Sequence, residues 1–275
     1  MIKIAGAEMD IQTMASKYPP HSLELEILNI LSSSQEIYSY DAEKQLEFEL
    51  NLRKSIVNAA RNLSRTHFSF RVFRKSKCNP DYWHRTSEGG FSLQNGVKPS
   101  KAVEDIIRHS SRYGTECATA MVIVYYLALV DLLPEELFNQ LFSEIYLMNW
   151  QHLDRELGIV DQIHVADYLP GDGRYFKNPD VDPLTPEWQG ENTFDLGNGT
   201  YYGHGIGIAS AEKMIDALNE KRIDDSHVSA YLMSSAKRLN FKGLANQYYT
   251  FNPSPRTKDF DALKTEEIDI KSVAL

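Results

Sequence analysis

Cys117 is one of only two cysteines in 275 residues, and it opens the stretch GTECATAMVIVYYLALV with Glu116 immediately before it. The short residues ahead of it and the apolar run behind it place the thiol at or near the first turn of a buried helix. Unpaired N–H groups and the helix dipole there favour a thiolate and lower its pKa. The same N–H groups can hold the oxyanion that forms when a carbonyl is attacked. That is the chemistry of an acyl-transfer nucleophile. Cysteine is also among the most buried residue types, so position alone leaves a plain core residue as the alternative. Cys78, in an irregular stretch beside Asn79 and Pro80, is the weaker candidate.

A thiol nucleophile needs a base within hydrogen-bond reach and something to orient that base. Two polar residues downstream qualify. Glu191 sits in EWQGENTFDL just ahead of a strand, and His204 sits in YYGHGIGI, between glycines on the strand across a hairpin turn. Glycines strip away side-chain cover, as expected where another group must come close. A surface histidine in a loop is the other reading of the same pattern. The remaining histidines, His152 and His164 among them, share no spacing.

The elements that must position these residues follow from periodicity. Leu46, Leu50, Ile56, Val57, Ala60 and Leu63 recur at helical spacing. HFSFRVF alternates like a strand, and the stretch after it is broken by Pro80, Gly89, Gly90, Gly96 and Pro99 into loops around one or two short strands. SKAVEDIIRHSSRYG reads as a helix with Ser100 as its cap and Gly114 at its end. LPEELFNQLFSEI is another, with Pro134 near its first turn. IYLMNW, QIHVADYL, NTFDL and TYYGHGIGI are short strands, the last two joined by the hairpin signal Gly197-Asn198-Gly199. SAEKMIDALNEKR returns to helix, capped by Ser210. Helices followed by a mostly antiparallel sheet make an α+β domain. Residues 1–250 read as one catalytic domain and 251–275 as a polar, loosely attached tail.

The net charge of -9 argues against nucleic acid as a partner, since phosphate backbones demand a basic surface. MVIVYYLALV is apolar but stops at Asp131, short of the roughly 20 residues needed to span a membrane. Two cysteines without metal-binding spacing point to free thiols in a reducing cytosol.

In combination, GTECATAMVIVYYLAL, YFKNP, W-x-GEN and YYGHGIGI resemble the spore-coat protein-glutamine gamma-glutamyltransferases of Bacillus, from about Phe48 to Leu239. The resemblance implies a papain-like core, akin to bacterial cell-wall cysteine peptidases, with the nucleophile at a helix start packed on the sheet. It implies Cys117 as nucleophile, Glu191 as the carboxylate base, Glu116 as a second carboxylate able to assist, and His204 near the pair. Phe70, Trp150 and Trp188 match aromatic positions lining a substrate tunnel that keeps water out. The first forty residues carry no matching motif.

A carboxylate near pKa 4 is a poor base for a thiol near 8.5. Burial against aromatics would raise the first and the helix start would lower the second, narrowing the gap. The implied reaction is attack on a glutamine carboxamide, release of ammonia, and capture of the thioester by a lysine amine. Partners would be spore-coat proteins, met in the mother-cell cytoplasm and at the coat by a monomer. A cysteine peptidase or glutamine deamidase of the same fold, and a non-catalytic coat protein, are the rivals. No cofactor is implied, and no calcium-loop spacing occurs. Amine incorporation should therefore be unchanged by excess EDTA; a large loss restored by calcium would overturn this expectation.

Overall fold

The structure, a computed structural model, describes residues 1–150 and 152–251. The tail expected at 251–275 lies, apart from its first residue, outside the described residues. The chain opens with β1 (Ile2–Ile4), β2 (Ala7–Glu8), α1 (Ile11–Ala15), α2 (Leu23–Ser33) and β3 (Tyr38–Tyr40). β1 pairs with both β2 and β3, and the small sheet packs with α2 around Ile27, Leu28 and Leu31. The long α3 (Glu43–Ser64) follows, then β4 (Ser69–Phe70), β5 (Trp83–Arg85), β6 (Phe91–Leu93), α4 (Pro99–Arg108) and β7 (Gly114–Thr115).

α5 (Cys117–Leu132) is apolar all round and buried from Cys117 to Tyr126, emerging toward solvent at Leu127, Val130, Asp131 and Leu132. It packs against α3, α4 and the main sheet. Met121, Val122, Ile123, Val124 and Leu129 are excluded from solvent, each contributing about 1.5–3 kcal/mol by burial. α5 ends where Leu133 precedes Pro134 and turns extended, as a residue before proline must. α6 (Glu135–Leu141) and β8 (Tyr146–Leu147) complete this half.

The second half supplies β9 (Val160–Ile163), β10 (Gly173–Lys177), β11 (Gly190–Asp195), β12 (Thr200–Gly203), β13 (Gly207–Ser210), α7 (Ala211–Asn219), β14 (Tyr231–Leu232), β15 (Ser235–Arg238) and α8 (Phe241–Thr250). Their sheet runs β13-β12-β11-β10-β15-β9, with β14 also on β10, and every pairing is antiparallel. The α+β class holds. Among the described residues no helix is long and apolar enough to cross a membrane.

Several expected boundaries move. Ser100 does not cap α4: Pro99, with its preset φ, starts that helix, and the Ser100 N–H goes to Asn139 Oδ1 at 2.8 Å. Gly114 does not end α4 but lies in β7, pressed against Ser69 on β4. HFSFRVF is strand only at Ser69–Phe70. QIHVADYL ends its strand at Ile163, because His164 takes a positive φ of 56°. TYYGHGIGI is two strands, not one, and His204 sits in the turn between them.

One buried ion cluster ties α3 to the main sheet. Asp172, completely buried just before β10, accepts from Arg53 Nη1 (2.8 Å) on α3 and from Arg238 Nε (2.8 Å) and Nη2 (2.7 Å) on β15. Arg53 Nε also reaches Glu49 at 2.8 Å. Burial alone would raise the Asp172 pKa, but the two guanidiniums outweigh it and hold the carboxyl below its usual range. Removing one partner leaves buried charge uncompensated. Asp172→Ala should cost about 3–5 kcal/mol, much of a typical domain's stability. Urea unfolding should show a lowered midpoint; an unchanged midpoint would remove this cluster from the account.

Candidate active site

Cys117 is the first residue of α5, and Glu116 is its N-cap, with φ -82° and ψ 174°. The Glu116 carboxylate accepts from Ala118 N–H (2.5 Å) and Thr119 N–H (2.7 Å), and the Thr119 hydroxyl donates to it as well. Two of the helix-start N–H groups expected to hold an oxyanion are therefore already taken. The thiol is buried, and it meets β11 at consecutive residues. It lies near the Glu191 carboxyl, whose charge acts on it, while Asn192 Nδ2 approaches the sulfur at 3.4 Å.

Glu191 is held from its other side. Gly205 N–H donates to Oε1 at 2.7 Å. The glycines flanking His204 make that approach possible: a Cβ on Gly203 would stand 2.7 Å from Glu191 Cγ, and one on Gly205 would stand 3.2 Å from Oε2. The close group anticipated from this glycine pattern is the carboxyl itself. His204 turns away from it. Its Nδ1 lies 3.2 Å from the Tyr202 hydroxyl, and its ring packs on Phe68 at 4.7 Å and near Phe70 at 6.1 Å. Among the described residues no imidazole is hydrogen-bonded to Cys117.

The thiol opens on a cavity of about 490 Å³ bounded by Phe70, Val72, Glu116, Tyr175, Pro186 and Asn192, among others. A second, of about 340 Å³, lies beyond Tyr175 and Asn192, which border both; Trp150, Asp161 and Lys237 form its far walls. Of the three aromatics expected in a passage, Phe70 lines the first and Trp150 the second. Trp188 lines neither. It stacks behind Phe70 at 5.7 Å and lies close to Gly205. The sequence alone does not single out Asn192, the last letter of W-x-GEN, or Tyr175, inside YFKNP.

The sequence profile of the protein-glutamine gamma-glutamyltransferases matches residues 1–249. The chain belongs to this family. The match takes in the first forty residues, beyond the span from Phe48 to Leu239 that the motifs alone reached. The chain is 44% identical over 245 residues to the protein-glutamine gamma-glutamyltransferase of Bacillus cereus (strain 03BB102), covering 89% of this chain and 87% of that protein. It is 43% identical, over the same shares, to that of Bacillus anthracis (strain A0248). A solved transglutaminase from Geobacillus stearothermophilus, described as without its C-terminal extension, aligns with a TM-score of 0.72 and 46% identity, covering 75% of this chain and 98% of that one. The reaction class is thus acyl transfer from protein glutamine.

The electrostatics of this transglutaminase differ from expectation at the sulfur. Burial, then the facing Glu191 and Glu116, push the Cys117 thiol well above its ordinary range. The depressed thiol expected at a helix start does not form, because burial and the two carboxylates outweigh what the helix start offers. Burial likewise pushes Glu191 up to about 8, against the pull of Gly205 N–H. Glu116 is raised too, by burial, against its bonds to Thr119 and Ala118. His204 is pushed by burial down to about 4, so its ring is neutral at physiological pH.

A carboxyl whose folded pKa lies above its unfolded value stabilises the fold fully below the unfolded value, and that contribution is lost as pH rises through the folded one. For Glu191 the window runs from the ordinary carboxylate range to about 8, at on the order of 1.4 kcal/mol per pH unit. Glu191→Gln cannot ionise and escapes the loss. Thermal melts should show the variant increasingly more stable than wild type from pH 5 to pH 8. A difference that stayed flat across this range would show that Glu191 is not held neutral by burial.

Proposed function

We propose that Cys117 is the nucleophile and Glu191 its proton acceptor, on a papain-like core in which the helix bearing the thiol packs against the sheet bearing the base. The observation that carries this reading is a thiol and a carboxyl buried near one another where α5 meets β11, with the thiol at the wall of an aromatic-lined cavity. A proton-accepting group works best with a pKa near the working pH, and Glu191, near 8, meets that condition. As the sulfur attacks the glutamine Cδ, its proton passes to Glu191. Glu191 then gives that proton to the departing amide nitrogen, which leaves as ammonia. A lysine amine enters, loses a proton to the Glu191 carboxylate and attacks the thioester. Collapse forms the isopeptide bond, and the sulfur takes the proton back.

Glu116 serves here as the clamp on the first turn of α5, its oxygens being occupied by helix N–H groups. His204 anchors the turn whose Gly205 N–H steadies Glu191. Phe70 and Trp150, with Tyr175 between, limit water at the thioester, which favours transfer over deamidation. A peptidase would bring a histidine to the sulfur; His204, neutral and hydrogen-bonded to Tyr202 instead, does not support that rival. No step so written calls for a metal ion. The Bacillus source of the relatives supports coat proteins of the forming spore as donors of glutamine and lysine, in the mother cell.

Incorporation of a fluorescent primary amine into spore-coat extract tests this reading. Cys117→Ala should abolish labelling, and Glu191→Gln should slow it by about 10²-fold or more. Since Glu191 must be ionised to accept the proton, wild-type kcat/KM should rise with pH along a limb centred near 8, with none near 6–7 from a histidine. Glu116→Ala should cost less in rate and about 1 kcal/mol in stability, the scale of a lost helix cap. Retained activity in Glu191→Gln, with total loss in His204→Ala, would hand the base role to histidine. Labelling of coat proteins no better than of an unrelated protein would remove the coat assignment.

A further inference from the structure

A tetrahedral intermediate formed on Cys117 carries a negative oxygen, and the helix that bears the thiol cannot supply the usual pair of amides to hold it. Ala118 and Thr119 both donate to Glu116, leaving the Cys117 amide as the first-turn donor that Glu116 does not engage. A second donor must come from outside the helix.

We infer that the side-chain amide of Asn192 is that donor, binding the oxyanion formed from the substrate glutamine carbonyl. Asn192 stands at the sulfur already, with Nδ2 3.4 Å from Sγ. Its orientation is not free. The Trp150 indole N–H donates to Asn192 Oδ1 at 3.2 Å, which commits the oxygen to Trp150 and turns the NH₂ toward the thiol. Asn192 follows Glu191 on β11, and it borders both the thiol cavity and the one beyond it. An acyl oxygen bound to the sulfur-linked carbon therefore has a fixed donor at hand, where such donors sit about 2.7–3.1 Å from the charge they stabilise. Trp150 becomes a positioning residue as well as a cavity wall: removing its N–H frees the Asn192 amide to rotate. The assignment rests on Cys117 as nucleophile.

Two reactions of the same sulfur separate the roles. Acyl transfer builds charge on a carbonyl oxygen; alkylation by iodoacetamide displaces iodide and does not. Asn192→Ala should lower kcat for amine incorporation by about 10²-fold, the usual effect of losing one oxyanion donor, with KM little changed. The rate of Cys117 alkylation, followed by mass spectrometry of its peptide, should stay within about threefold of wild type. Trp150→Phe keeps an aromatic ring and Asn192 while deleting the indole N–H, and should lower kcat by roughly tenfold with alkylation again unaffected. A kcat for Asn192→Ala within about threefold of wild type overturns the inference. So does a parallel fall in alkylation, which would make Asn192 a modulator of the thiol. Should Asn192→Ala lose its circular dichroism, Trp150→Phe decides alone, an unchanged kcat overturning the inference. Failure of the underlying reading looks different: wild type alkylated at Cys117 would still incorporate amine.

Discussion

The meeting of the first turn of α5 with consecutive residues of β11 governs the rest of this molecule. α5 is apolar all round, so it is stable only when enclosed, and enclosing it drives its N-terminus to the sheet. A buried helix start has unpaired N–H groups that water cannot reach. Glu116 satisfies two of them from within the chain. That local solution commits the carboxylate nearest in sequence to Cys117 to the helix, and leaves Glu191, across the interface, as the carboxyl proposed to accept the proton.

Enclosure also sets the electrostatics. A carboxyl and a thiol packed together away from water both resist ionisation, and Glu191 and Cys117 shift in the same direction for that reason. The surroundings do not neutralise Glu191 with a cation. They give it a single backbone N–H from a glycine turn, which leaves its pKa close to neutrality instead of far below. An arginine in that place would favour the ionised carboxylate and draw its pKa down. Sites that keep a group poised in this way commonly give up stability for activity.

Stability is recovered away from the site. The clamp of Arg53 and Arg238 on Asp172 joins α3 to β10 and β15, on the sheet that carries Glu191 one strand away. The aromatic layer of Phe68, Phe70 and Trp188 packs the far side of the His204 turn. Between them the strand holding Glu191 and Asn192 has support on both flanks, so these two side chains are held by rigid elements and not by a loop.

Much of this was legible in one dimension. Apolar periodicity located α3, an unbroken apolar run located the buried α5, the Gly197-Asn198-Gly199 turn located one hairpin, and Ser210 marked the start of α7, because each depends on neighbours a few residues apart. Cys117 at a helix start and a carboxylate in W-x-GEN were visible for the same reason. β10 and β15 were not, since GRYFK and SAKR carry charged residues whose burial depends on partners far along the chain: Arg174 on the carbonyls of Met233 and Ser235, and Arg238 on Asp172. The sign of the Cys117 pKa shift, the turn that sets His204 aside from the thiol and the approach of Asn192 to the sulfur were likewise decided only in three dimensions. The sequence by itself determined which residue types stand at the helix start and in the strand; desolvation and distance, which act through space and not along the chain, determined which of them meet and in what state of charge.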